Sequence, residues 1–117
     1  MPADFATAAT QMGRVAPDRW KQQYFHRIKD LVDQHQPDLL YTDGGIPFDE
    51  YGLGTVAELY NVAAMDTKGR TEGVYFSKSR PDSALGICVL DRERGVCSDS
   101  SPTPWQTATC IGQRHCK

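Results

Sequence analysis

A chain of 117 residues accommodates one small domain and is too short for a complete eight-stranded α/β barrel, which takes at least about 200 residues. Hydrophobic residues at 39% and charged residues at 24% are ordinary globular values, which exclude a disordered tail or a collagen-like repeat, and no apolar run approaches the ~20 residues needed to span a membrane. A net charge of −2, with neither sign clustered over a long run, leaves no basic face for capturing nucleic acid.

Residues 1–17 read as an irregular, small and polar lead-in closed by Pro17. Met1-Pro2-Ala3-Asp4 carries neither a basic segment nor an apolar one, so no secretory signal is expected here. Asp18 is placed to cap a helix. Trp20, Tyr24, Ile28, Leu31, Val32 and His35 then recur at spacings of three and four, one face of an amphipathic helix. Lys21, Arg27, Asp30 and Asp33 occupy its other face. This helix is expected to cover the outside of a sheet, leaving His26 and His35 structural or solvated, and to stop before Pro37.

Asp38–Thr42 reads as a short apolar strand that ends in the turn-forming Asp43-Gly44-Gly45. A loop from Gly44 to Gly54 follows. Thr55 and Glu58 have capping-box spacing and predict a second helix through about Met65, with Val56, Leu59, Tyr60 and Ala63 as its apolar stripe. Gly73–Lys78 and Ala84–Leu90 predict two further strands, both almost continuously apolar, as in a parallel sheet covered on both faces. Residues 79–83 are too few for a parallel crossover between those strands, so either the two are not neighbours in a regular unit or the fold is an irregular barrel, and a regular doubly wound sheet is disfavoured. Beyond Arg94 the chain reads as irregular. Cys88 fits a small core residue, and Cys88, Cys97, Cys110 and Cys116 have no metal-site spacing, so free thiols are expected ahead of a disulfide or zinc.

In α/β folds functional groups gather where parallel strands end. Asp43 ends the first strand, Lys78 the second, and Asp91 with Glu93 the third. Two carboxyl groups about one glycosidic bond are the minimum for glycoside hydrolysis, one ionised and one supplying a proton. The blander reading is that Asp43 only caps a turn and that Arg92, Glu93 and Arg94 form a solvated charge cluster.

Four blocks add to this reading: Gln36–Gly45, Tyr75–Lys78, Val89–Arg94 and Pro104–Gly112. In order and spacing they resemble the retaining α-L-fucosidases of glycoside hydrolase family 29, over about residues 18–113. The resemblance implies an α/β fold, part of a (β/α)8-like barrel with about three strands and two helices, followed by a short tail at 114–117. It implies Asp43 as the nucleophile and Glu93 as general acid and then base, with Asp91 as the alternative to Glu93. It implies Lys78 as a cation near the sugar, and Trp105 either beside the pocket or in the core. Terminal α-L-fucosyl residues of glycans would be the substrate, with no metal or organic cofactor. Expected partners are the missing portion of the barrel or a second copy of the chain, with neither nucleic acid nor membrane. Family members carry histidines and an acidic residue in a long N-terminal half, which residues 1–17 do not supply. Ala108 stands where relatives commonly have an acid. A secreted, periplasmic or lysosomal setting is implied only through such relatives. A non-catalytic remnant or weak sugar-binding piece is the alternative, and a small unrelated α/β domain with structural carboxylates is a third.

Overall fold

Residues 16–93, 99–109 and 111–112 are described by the structure, a computed structural model of the chain. Most of the lead-in, Cys97, Cys110 and the tail at 114–117 lie outside these residues. Helix α1 spans Asp18–His35. Pro17, in extended conformation, is its cap, so Asp18 is the first helical residue, where its charge favours the helix dipole. Gln36 closes the helix in the left-handed region, its N–H bonded to the Val32 carbonyl at 2.9 Å, just ahead of Pro37.

Strand β1 (Leu39–Tyr41) is followed by helix α2 (Glu50–Asp66), strand β2 (Val74–Ser77), the short helix α3 (Arg80–Ala84) and strands β3 (Val89–Asp91) and β4 (Trp105–Gln106). The four strands form one parallel sheet in the order β1-β2-β3-β4. The protein is therefore α/β, with three helices among the described residues.

Three local expectations differ from what forms. Helix α2 begins at Glu50, well before the expected capping box, and Thr55 lies inside it, donating its hydroxyl to the Gly52 carbonyl at 2.7 Å. Gly52 and Gly54 disfavour a helix by about 1 kcal/mol each, which masks this start in the sequence. Both are required by packing. A Cβ on Gly52 would lie 1.9 Å from the Pro47 carbonyl oxygen, and one on Gly54 would lie 2.9 Å from the Phe25 ring, where α1 and α2 meet.

The apolar run Ala84–Leu90 is not one strand. Ser79 caps α3, accepting from the Asp82 N–H, and Pro81 favours the first turn. Gly86, at φ 74°, then breaks the backbone before β3. The β2–β3 connection thus runs from Lys78 to Cys88, the ~10–12 residues a parallel crossover needs. Finally, β4 was hidden because two residues leave no periodicity to read.

Val56 and Leu59 of α2 pack on Tyr75 of β2, with Leu40, Ile46, Tyr60 and Cys88 around them. Cys88 is a free thiol at the edge of this cluster, and burial pushes its pKa up. Helix α1 packs mainly on α2, with Val32 fully buried and the Lys29–Glu58 ion pair at 3.2 Å across the two helices, and Tyr24 makes an edge-on contact with Phe48 in the loop before α2. The buried face of α1 is narrower than its spacing suggests, since Leu31 and His35 are exposed.

Alternation along the strands puts Leu40, Tyr75 and Ser77 on the face that α2 covers. Leu39, Tyr41, Val74, Phe76 and Val89 share the opposite face, where Leu39 and Tyr41 are exposed. No helix among the described residues is long and apolar enough to cross a membrane.

Replacing Gly52 with alanine forces Pro47 or the start of α2 to move. We expect Gly52→Ala to cost about 1–3 kcal/mol, read as a lower urea midpoint at unchanged m-value.

Candidate functional site

Three adjacent parallel strands end side by side, and each delivers one charged residue to that rim. Lys78 follows the middle strand, β2. Its ammonium contacts Asp43 Oδ1 at 2.7 Å, from the segment after β1, and Glu93 Oε1 at 3.4 Å, from the segment after β3. Both oxygens touch one nitrogen, so the sum of those contacts, about 6 Å, caps their separation.

Exposure distinguishes the two acids. The Asp43 side chain is 87% exposed, Glu93 49% and Lys78 21%. The shielded group is the cation, and the acids reach over it from either side. The bond to Asp43, aided by the one to Glu93, holds the Lys78 pKa well above its ordinary 10.5, against a smaller opposing effect of desolvation.

The backbone that carries Asp43 is fixed from below. Thr42 N–H bonds the Phe76 carbonyl at 3.3 Å, and Lys78 N–H bonds the Gly44 carbonyl at 2.8 Å, so the β1–β2 ladder continues past the strands. Gly44, at φ 116°, makes the turn in a conformation that side chains resist. One Asp82 oxygen accepts from the Ile46 N–H at 2.8 Å and from the Ser77 hydroxyl at 2.7 Å, pinning the loop to β2 and α3. Nothing in the sequence singles out Ser77 or Asp82, because their role arises only once the loop folds over α3.

The other carboxylate candidate, Asp91 at the end of β3, lies elsewhere. Asp91 is 2% exposed and accepts through Oδ2 from the Tyr41 hydroxyl, while its Oδ1 is buried with no hydrogen-bond partner among the described residues. That bond, with burial adding to it, raises the Tyr41 pKa. Tyr41 also stacks on Phe76, ring centroids 6.3 Å apart and 25° from parallel.

Trp105 does not join the charged rim. It pairs with Leu90 in β4, which places it by alternation on the face opposite Asp91, half-buried with the Arg92 guanidinium 5.3 Å over its ring. His26 and His35 are exposed on α1. A groove of about 940 Å³ runs along α1 past Trp20, His26 and Asp30, none of them rim residues. The described residues contain no group of three or more His, Cys, Asp or Glu arranged to hold a metal.

Chemically, the rim offers two carboxylates at close range around one cation. No protein-family model matches the chain, and a search of curated proteins finds no match either.

Pairing in the folded state raises the Lys78 pKa, so its stabilising contribution is complete below pH 10.5 and fades as pH climbs through the higher folded value. Followed by NMR at its ε-carbon, Lys78 is expected to titrate above pH 10.5. Asp43→Asn should return it toward the ordinary value more than Glu93→Gln does.

Proposed function

We propose that this chain carries the carboxylate pair of a retaining glycoside hydrolase of the α-L-fucosidase type, built on part of a (β/α)8-like barrel. The observation that carries the reading is the common contact of Asp43 and Glu93 with Lys78. One oxygen of each lies within about 6 Å of the other, a bound that accommodates the 5–5.5 Å carboxyl spacing of retaining enzymes. Fucose as the sugar rests on the sequence resemblance alone.

The barrel rests on topology. Consecutive parallel strands joined by right-handed crossovers place their helices on one side of the sheet. That leaves Leu39, Tyr41, Val74, Phe76 and Val89 on the other side. A parallel sheet ordinarily has both faces covered, and in a barrel this inner face meets further strands. Those strands, on a longer or complementing polypeptide, are the expected protein partner.

The contact lengths suggest how the acids divide the work. A sugar entering between them displaces the longer contact, from Lys78 to Glu93, and leaves the shorter one with Asp43 in place. Asp43 then keeps a cation beside it and attacks the anomeric carbon. Glu93 delivers a proton to the departing oxygen as the glycosidic bond breaks. In the second half Glu93 takes a proton from water, whose oxygen displaces Asp43 and releases the sugar with its original configuration. No step needs a metal or organic cofactor.

One observation favours the second reading, a non-catalytic or weakly sugar-binding piece. At 87% exposure the Asp43 side chain has little around it to exclude water from a reacting centre.

An aryl α-L-fucoside separates the two. On the first reading the purified chain releases the aryl group, Asp43→Gly abolishes release, and external azide restores it by attacking the anomeric carbon in place of Asp43. Glu93→Ala is expected to lower kcat by about 10²–10⁴-fold. A folded chain without turnover, as judged by circular dichroism and cooperative unfolding, supports the second reading.

A further inference from the structure

We infer that Tyr41 and Asp91 are positioning residues whose hydrogen bond holds the strands bearing Asp43 and Glu93 at their working separation. The inference rests on the reading of Asp43 and Glu93 as the working carboxylates.

Tyr41 lies two residues before Asp43, and Asp91 two residues before Glu93. Strands β1 and β3 are not neighbours, since β2 runs between them. Two strand spacings, roughly 9.6 Å, separate them, and no backbone ladder can join them directly. The Tyr41 hydroxyl crosses that gap to Asp91 Oδ2, with its ring laid along Phe76 of the intervening strand. It is a lateral tie one step below the charged rim.

The burial of Asp91 makes the tie specific. A carboxylate at 2% exposure is costly unless hydrogen-bonded, and Tyr41 donates to it, while Oδ1 has no hydrogen-bond partner among the described residues. Losing that donor leaves a buried carboxylate that no side chain among the described residues hydrogen-bonds. Strand β3 then relaxes outward, carrying Glu93 with it. The longer Lys78–Glu93 contact breaks before the shorter Lys78–Asp43 contact. About 1 Å separates retaining from inverting carboxylate spacings, so a small drift is enough to matter.

The test uses the full chain. Tyr41→Phe keeps the ring on Phe76 and removes only the hydroxyl. We expect kcat on an aryl α-L-fucoside to fall about ten- to a hundredfold, with KM within about twofold. Asp91→Asn keeps an oxygen that accepts from Tyr41 and is expected within about threefold of the parent, whereas Asp91→Leu matches Tyr41→Phe. The Tyr41→Phe/Asp91→Leu double variant should be no worse than the poorer single, because both remove the same bond. In parallel, NOEs from the Lys78 ε-protons to the Asp43 β-protons and to the Glu93 γ-protons report the two contacts. In Tyr41→Phe the NOE to Glu93 is expected to vanish while that to Asp43 persists. This second measurement needs no turnover, so an inactive parent sinks the hydrolytic reading and leaves the tie to be decided by the NOEs alone. Unchanged NOEs in folded Tyr41→Phe overturn the inference, as do additive losses in the double variant or an Asp91→Asn as impaired as Asp91→Leu.

Discussion

Everything at the rim depends on one contact set: a single ammonium, at the end of the middle of three parallel strands, held by a carboxylate from each neighbour. A lysine on an outer strand would reach only one of them. Parallel direction is equally necessary, because it brings the carboxyl ends of all three strands to the same edge, where their following segments meet. Charge then does what the sheet alone does not. Two acids this close would repel, and the cation between them makes their approach favourable.

The layers beneath explain why the contact set is held where it is. Tyr75 and Ser77 face α2 and are fully buried, which anchors β2 and with it the position of Lys78. On the opposite face Tyr41, Phe76 and Asp91 form a level of their own, tied by a stacked ring pair and a hydrogen bond. The β1 loop is set separately, through Asp82 on the short crossover helix. Each of the three rim residues thus has its own support, and those supports lie on different elements. A change in one moves its charged group relative to the other two.

How much of this the sequence reveals depends on the kind of signal each part leaves. The long helix α1, the strand before Asp43 and the strand before Lys78 are legible because helical spacing and short apolar runs with turn residues after them are strong local signals. Asp43 and Lys78 follow from the same logic, while past the third strand it yields Asp91 and Glu93 together and does not choose between them. What stays hidden is set by contact. The start of α2 is masked by Gly52 and Gly54, which the helix tolerates because Pro47 and Phe25 press against them. Helix α3 is masked by the apolar run that continues past its end, and only Gly86 marks the break. Asp91 reads as an exposed rim acid until Tyr41 is seen to reach it from two strands away, across a sequence separation that no periodicity reports.

The division between Asp91 and Glu93 carries a more general consequence for this site. The two acids stand two residues apart, Asp91 as the last residue of β3 and Glu93 just past it, yet one is sealed beneath the rim by a tyrosine and the other lies half-exposed beside a cation. Chemistry on an incoming polar molecule requires a carboxyl group that can touch the molecule. Glu93 is open to such contact and Asp91 is not. Conversely, a group that sets spacing must not be displaced by the molecule it helps to place, and only Asp91 is protected from that. On the proposed reading, burial therefore divides the neighbouring acids between different tasks, Glu93 facing the incoming molecule and Asp91 holding the strand that delivers it.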